Sequence, residues 1–424
     1  MKFRTSLPPL EHFSKNPRLI RDNNPVPVLS LLGINNSSQP TFPNSSRIKQ
    51  TSQLPPLQKN RSLNVLSDGS NSSRLFSAES NIKTLPGAPL TPAEVLQVFG
   101  DRLVPLELGE ILKYKDIYYI GDIENKPIRA SYDTDYNDRK KQYRAQPNDH
   151  INYRYQIINH AGGGAFSTVY RCYDHKLHIP VAVKIIRAKP DCLQYAELEA
   201  KIQSQLQGKH SVKLIESFHF RGHYCLSMEL LYTDIYSIVE KKTYPQLPPD
   251  TVRHITFQTL LCLRELASKG IVHADIKPEN ILTNDESLVY TKVADFGTAC
   301  FAEEQIFSYI QSRYYRAPEV LYGIKYGPPI DMWSLGCVVY ELIIGQPLFA
   351  AQDEEELAEM LNIAIGSPPR SIYENSTKWS MLPHVASYSH DYRPSSGSSN
   401  NANSALYHMQ PLAFMVSVLP RVIS

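Results

Sequence analysis

The run His273-Ala274-Asp275-Ile276-Lys277-Pro278-Glu279-Asn280-Ile281-Leu282 holds the densest set of groups able to do chemistry, and Asp295-Phe296-Gly297 follows twenty residues after Asp275. Moving a phosphoryl group asks a protein for little covalent work but for strict positioning and neutralisation of charge. Asp275 suits the task of orienting an acceptor hydroxyl and taking its proton. Lys277 can neutralise charge on the moving group. Asn280 and Asp295 offer the oxygen ligands that magnesium prefers.

Two upstream features complete the set. Ala161-Gly162-Gly163-Gly164-Ala165-Phe166-Ser167-Thr168-Val169 lies between two predicted strands, where small residues let backbone N–H groups approach a polyphosphate. Ser167 stands where a G-x-G-x-x-G pattern would carry its third glycine. Lys184 closes Val181-Ala182-Val183-Lys184, fifteen residues after Val169. An ammonium in an apolar strand is costly unless paired. A phosphate and a carboxylate from the next helix would pair it; Glu197 and Glu199 both lie there, and the distance to Lys184 favours Glu199. Gln203 stands where an apolar packing residue is expected.

These groups need a scaffold. Apolar runs predict strands at Tyr155–Ile158, Val169–Tyr173, Val181–Ile186, Val212–Phe218 and Tyr224–Glu229, interrupted by a helix from Leu193 to Leu206. After Asp250 the periodicity turns helical, with Val252–Lys269 and Ile330–Ile344 the clearest segments. A β-rich lobe followed by a helical lobe is expected, an α+β fold. Further upstream, Thr91-Pro92-Ala93-Glu94 reads as a helix start, with Thr91 as N-cap and Glu94 at N3. A Tyr-rich segment, Ile111 to Gly121, and a polar linker, Glu124 to Gln146, follow it.

Composition narrows the rest. The chain has 424 residues and a net charge of +2, which makes no general case for nucleic acid as a partner. The average hides a division: residues 1–90 carry 11 Lys+Arg against 4 Asp+Glu, and the remainder 33 against 38. Those 90 residues also hold 15 Ser, 10 Asn and 11 Pro, a basic tail expected to be disordered. Residues 393–405 read as a second low-complexity segment. None of the six cysteines forms a CxxC pair, which argues against a zinc site or a disulfide framework. The N-terminus lacks the apolar core of a secretory signal, and the longest apolar stretch, Met332 to Gly345, is 14 residues with Glu341 inside it. A monomer without membrane contact is expected, in the cytoplasm or nucleus.

The ordered set resembles the eukaryotic protein kinases over about residues 155–390. Tyr309-Ile310-Gln311-Ser312-Arg313-Tyr314-Tyr315-Arg316-Ala317-Pro318-Glu319 looks like the end of an activation segment, and Asp331-Met332-Trp333-Ser334-Leu335-Gly336 like the helix that anchors it. More narrowly, the Tyr309–Arg313 run resembles the dual-specificity tyrosine-phosphorylation-regulated kinases (the DYRK family). Asp149-His150 looks like that family's DH box, and residues 91–121 resemble the accessory region of its second class. The resemblance divides the chain into a tail (1–90), an accessory region with the DH box (91–150), a bilobal kinase domain (155–392, with lobes 155–231 and 232–392) and a C-terminal segment (393–424).

The resemblance implies ATP and Mg2+ as cofactors, autophosphorylation of Tyr309 during maturation, and protein Ser/Thr substrates with a basic residue upstream and proline downstream. It makes Arg313 the partner of the Tyr309 phosphate, Met228 the gatekeeper, and Glu229, Leu230 and Leu231 the hinge against adenine. Three departures stand out. Phe307 replaces an earlier loop tyrosine, Ala274 replaces the family's Cys, and no arginine is evident to pair Glu319, with Arg393 and Arg421 poor candidates. An incomplete helical lobe and a catalytically impaired scaffold form the competing expectation; a third makes the basic tail the working part.

Overall fold

A computed structural model describes residues 82–123, 126, 131–164, 166–240, 246–305, 309–366 and 376–378. The expectations for the tail up to Asn81, for Ala165 and Phe307, for residues 393–424, and for Arg393 and Arg421 lie outside the described residues.

The order begins with α1 (Pro92–Phe99) and α2 (Pro105–Glu110). The expected cap on α1 is present: Glu94 N–H donates to Thr91 Oγ1 at 3.3 Å, and Thr91 N–H to Glu94 Oε2 at 2.7 Å. Val95 is fully buried beneath it, while Val98, one of the expected apolar positions, is exposed.

Strands β1 (His150–Ile151), β2 (Tyr155–Gly163), β3 (Ser167–Asp174), β4 (Ile179–Ile186), β5 (Leu214–Phe220) and β6 (His223–Glu229) form one antiparallel sheet in the order β1-β2-β3-β4-β6-β5. Helix α3 (Pro190–Ser204) connects β4 to β5, with Pro190 in its first turn where the missing N–H costs nothing. The sheet's apolar core includes Ile157, Val181, Val183 and Phe220. The stretch expected to be a polar linker feeds this same core. Tyr136 and Tyr143 are buried and stacked with ring centroids 5.6 Å apart, so two aromatics that read as linker residues are packing residues.

The second lobe holds β7 (Thr233–Asp234), α4 (Ile235–Glu240), α5 (Pro249–Ser268), β8 (Ile271–Val272), β9 (Ile281–Thr283), β10 (Thr291–Val293), β11 (Cys300–Phe301), α6 (Pro318–Leu321), α7 (Pro329–Ile344) and α8 (Glu354–Ile365). Val252, Ile255 and Leu266 of α5 pack with Leu335, Val338 and Leu342 of α7 in its main core. The bilobal α+β architecture is the expected one. Among the described residues no helix is long and apolar enough to cross a membrane. All six cysteines are buried and unpaired.

Candidate active site

Strand β4 delivers Lys184 to the cleft side of the sheet, paired with Val169 on β3 and Leu226 on β6. Its ammonium lies 2.6 Å from Glu199 Oε1 and 2.8 Å from Asp295 Oδ1. Helix α3 thus offers Glu199 inward, buried, while Glu197 is exposed, which resolves the choice between them. Burial works against the charge on Lys184, but Asp295 and Glu199 more than offset it and hold its pKa above the ordinary value. The same ammonium holds the Asp295 carboxyl well below the usual carboxylate range, and 54% of that side chain remains open to the cleft.

The glycine-rich hairpin joins β2 to β3, with Gly162 opposite Val169 and Gly163 opposite Thr168. A Cβ on Gly163 would lie 2.9 Å from Ser167 O and 3.1 Å from Thr168 Cα, so this position requires glycine. Ser167 keeps the turn closed through its backbone, accepting the Gly164 N–H at 2.9 Å. A serine there is compatible with the hairpin because its carbonyl, not its side chain, makes the bond. Phe166 is 40% exposed at the tip.

The catalytic loop hangs from α7. His273 N–H and Ala274 N–H donate to the two oxygens of Asp331, at 2.8 and 2.9 Å. Ala274 takes a left-handed φ of 64°, and Asp295 one of 59°, strained for residues with a Cβ. His273 Nε2–H donates to Ala294 O at 3.1 Å, leaving Nδ1 to accept the Asp275 N–H at 3.2 Å. Both motifs are therefore tied to one imidazole.

Asp275 is tightly framed. Lys277 Nζ lies 2.7 Å and Asn280 Nδ2 3.0 Å from its Oδ2, while Ser312 donates to Oδ1 from Oγ at 2.8 Å and from its N–H at 3.1 Å. Lys277 also reaches Ser312 Oγ at 3.0 Å. Because Asn280 Nδ2 faces Asp275, also donating to its carbonyl at 2.8 Å, Asn280 Oδ1 is left for another partner. Asp295 likewise uses only Oδ1 on Lys184. These two oxygens, unpartnered among the described residues, fit a hard divalent cation that keeps waters and substrate phosphate oxygens as its other ligands.

At the back of the cleft, Gln203 replaces the expected apolar residue and donates through Nε2 to Val212 O at 3.0 Å and to Met228 Sδ at 3.5 Å. The Glu229 carboxylate turns to Lys292 at 2.6 Å. Leu231 is buried against Val212 and Ala294, and its backbone N–H and C=O have no protein partner among the described residues. Arg313, expected to pair with a phosphate on Tyr309, donates in this unphosphorylated chain to the Gln352 carbonyl. The guanidinium over the Tyr309 ring, 4.1 Å from its centroid, is that of Arg316.

Sequence reading missed Ser312, Asp331 and Arg316 as members of the site. A carboxylate heading an apolar helix was the available signal for Asp331; nothing in the spacing marks the other two.

Residues 155–403 match the family described as protein kinase domain. The chain belongs to the protein kinase family. Among curated proteins this kinase is 35% identical over 345 residues to dual specificity tyrosine-phosphorylation-regulated kinase 3 of Mus musculus, covering 78% of this chain and 59% of the relative. It is 38% identical over 294 residues to kinase 2 of the same name in Drosophila melanogaster, covering 66% and 41%. It is 36% identical over 299 residues to kinase 4 in Homo sapiens, covering 68% and 57%. The kinase belongs with this dual-specificity branch, and it spans 59% or less of the length of these relatives.

Proposed function

We propose that the chain transfers the γ-phosphoryl group of ATP to Ser/Thr hydroxyls of protein substrates, and autophosphorylates Tyr309 while maturing. The observation that carries this is the framing of Asp275: Lys277, Asn280 and Ser312 hold both its oxygens beside the groups that would receive nucleotide and metal. Asp275 orients an incoming hydroxyl and accepts its proton as the new P–O bond forms and the bond from the γ-phosphorus to the bridging oxygen breaks, releasing ADP. Lys277 offsets charge on the transferred group. Lys184, held by Glu199, binds phosphate oxygens of the nucleotide, and the Gly162–Gly164 turn admits them to backbone N–H groups. The Leu231 backbone and the flanking Met228 receive adenine. Magnesium, held by Asn280 and Asp295, neutralises phosphate charge when bound. A scaffold reading is not favoured, because binding alone requires none of Lys184, Asp275, Asn280 and Asp295.

Two features support a substrate with a basic residue upstream and proline downstream. Glu279, in the catalytic loop, has no hydrogen-bond partner for its Oε2 among the described residues, and the negative charge of this carboxylate would favour a basic residue of the substrate nearby. Downstream, Arg316 already occupies the carbonyls of Ile310 and Gln311, at 3.0 and 2.9 Å. A substrate residue without an N–H, which is proline, has least to lose there. The test is expression with ATP and magnesium beside an Asp295→Asn variant, read by intact mass and phosphotyrosine mapping. Phosphate on Tyr309 and transfer to a basic Ser-Pro peptide in the wild type alone are expected; absence of both in the wild type overturns the reading.

A further inference from the structure

Two cations from distant parts of the chain lie near the Tyr309 ring. Arg316 stacks on its ring, and Lys378 Nζ lies 5.8 Å from the ring centroid. The two cations share one anion: Glu354 Oε1 is 2.7 Å from Arg316 NH1 and 3.8 Å from Lys378 Nζ. Their situations differ. Arg316 is 2% exposed, and each of its three nitrogens is engaged, by the Ile310 carbonyl, the Gln311 carbonyl and Glu354. It is a fixed plate. The Lys378 backbone N–H donates to Ser376 Oγ at 3.1 Å, but its ammonium makes only the loose 3.8 Å ion contact and no hydrogen bond among the described residues.

Lys378 is nevertheless held in place. Thr377 Oγ1 donates to Gly323 O at 2.9 Å, and Ser376 donates to the Tyr322 carbonyl. Gly323 has φ of 68°, and a Cβ there would collide with Thr377 Oγ1 and Lys378. The short polar run 376–378 is thus seated on the turn that follows α6, and its lysine is directed at Tyr309. Of the other acids beside Glu354, Asp353 Oδ1 accepts the Glu356 N–H at 2.8 Å and Glu356 Oε2 accepts the Gln352 N–H at 2.6 Å, while Glu355 is exposed.

We propose that Lys378 is the cation that receives a phosphate on Tyr309, exchanging its weak contact with Glu354 for a charge-assisted bond to the phosphate. The exchange rests on the reading that Tyr309 is the phosphorylated residue. A phosphotyrosine brings about −1.5 to −2 charge and three strong acceptors. Arg316 fixes the ring, so the new oxygens extend from its edge, where a lysine stem is long enough to reach them. The charge-assisted bond is shorter and stronger than the 3.8 Å contact it replaces. Phosphorylation therefore fastens residues 376–378, and the turn beneath them, to the end of the activation segment.

The test separates this contact from the way the phosphate arrives. Phosphotyrosine is installed at position 309 of the full chain by codon reassignment in the Asp295→Asn background, and its phosphate is titrated by 31P NMR. A nearby cation lowers the second ionisation from its ordinary value of about 6. Lys378→Met, which keeps the stem but not the charge, is expected to raise the midpoint by roughly half a unit or more; Lys378→Arg restores it, and Glu354→Gln lowers it. An unchanged midpoint in Lys378→Met overturns the proposal, and a rise in Arg313→Ala alone assigns the phosphate to Arg313. Lack of Tyr309 phosphate in a wild-type preparation would strike at autophosphorylation and leave this contact standing.

Discussion

The Arg221 guanidinium, at the turn between β5 and β6, lies 2.8 Å from the carboxylate of Glu110 on α2, 111 residues away in sequence. It stacks on Tyr136 at 3.9 Å and donates to the Tyr143 hydroxyl at 3.1 Å. Glu107 completes the cluster, receiving His150 Nε2–H at 2.8 Å and Lys126 Nζ at 2.6 Å. Burial pushes the Glu107 carboxyl up, but His150 and Lys126 hold it down at about 2. Burial lowers His150 to about 4, so it bonds as a neutral imidazole. His150 is thus part of the joint between α2 and the sheet.

Removing Arg221 would leave two buried carboxylates short of a partner. Arg221→Ala is expected to destabilise the chain by about 3–5 kcal/mol, read from the urea midpoint. Arg221→Lys should recover less than half of the loss, because a point charge cannot replace the fork that grips Glu110.

Asp275→Asn has one acceptor oxygen, so it keeps the bonds from Ser312 or the bond from Lys277 but not both, and it removes the proposed proton acceptor. Steady-state kinetics should show kcat falling about 10²- to 10⁴-fold with the KM for ATP little changed. A matching rise in the KM for ATP would move Asp275 from the acceptor to the nucleotide.

Glu341, on α7, accepts the Tyr315 hydroxyl at 2.6 Å, and burial raises its pKa from 4.5 to about 7. Between those values the folded chain keeps a proton that the unfolded chain releases. Its contribution is therefore complete below pH 4.5, is lost as pH rises through about 7, and is absent above that. Urea midpoints at pH 5, 6, 7 and 8, compared with Glu341→Gln, should show the variant losing this slope.

Gln203 has a buried Oε1 without a hydrogen-bond partner among the described residues. Gln203→Leu loses the bond to Val212 O but also removes that orphan acceptor, so stability should change by no more than about 1 kcal/mol. A loss of several kcal/mol in thermal unfolding would show that the amide is a structural anchor.

What the sequence made legible was set by periodicity and order. The apolar run of β4 broken by a single lysine, the cap at Thr91 and the Asp275–Asn280–Asp295 spacing all lie within local reach. What it hid was polar burial. Arg221 sits in a hairpin turn, where a charged residue reads as solvated, and its partner Glu110 lies on a helix far upstream. Tyr136 and Tyr143 are separated by charged residues, so no period marks them as core. Arg313 and Arg316 are equally placed by sequence beside Tyr309; only the fold of the segment decides which one stacks on it.

The suspension of the catalytic loop from Asp331 gives two backbone amides a common protector. The His273 and Ala274 amide protons are shielded only while the head of α7 stays wound against the loop. Their exchange with solvent therefore reports the local opening of that helix end from the loop, a quantity separate from whatever the cleft holds.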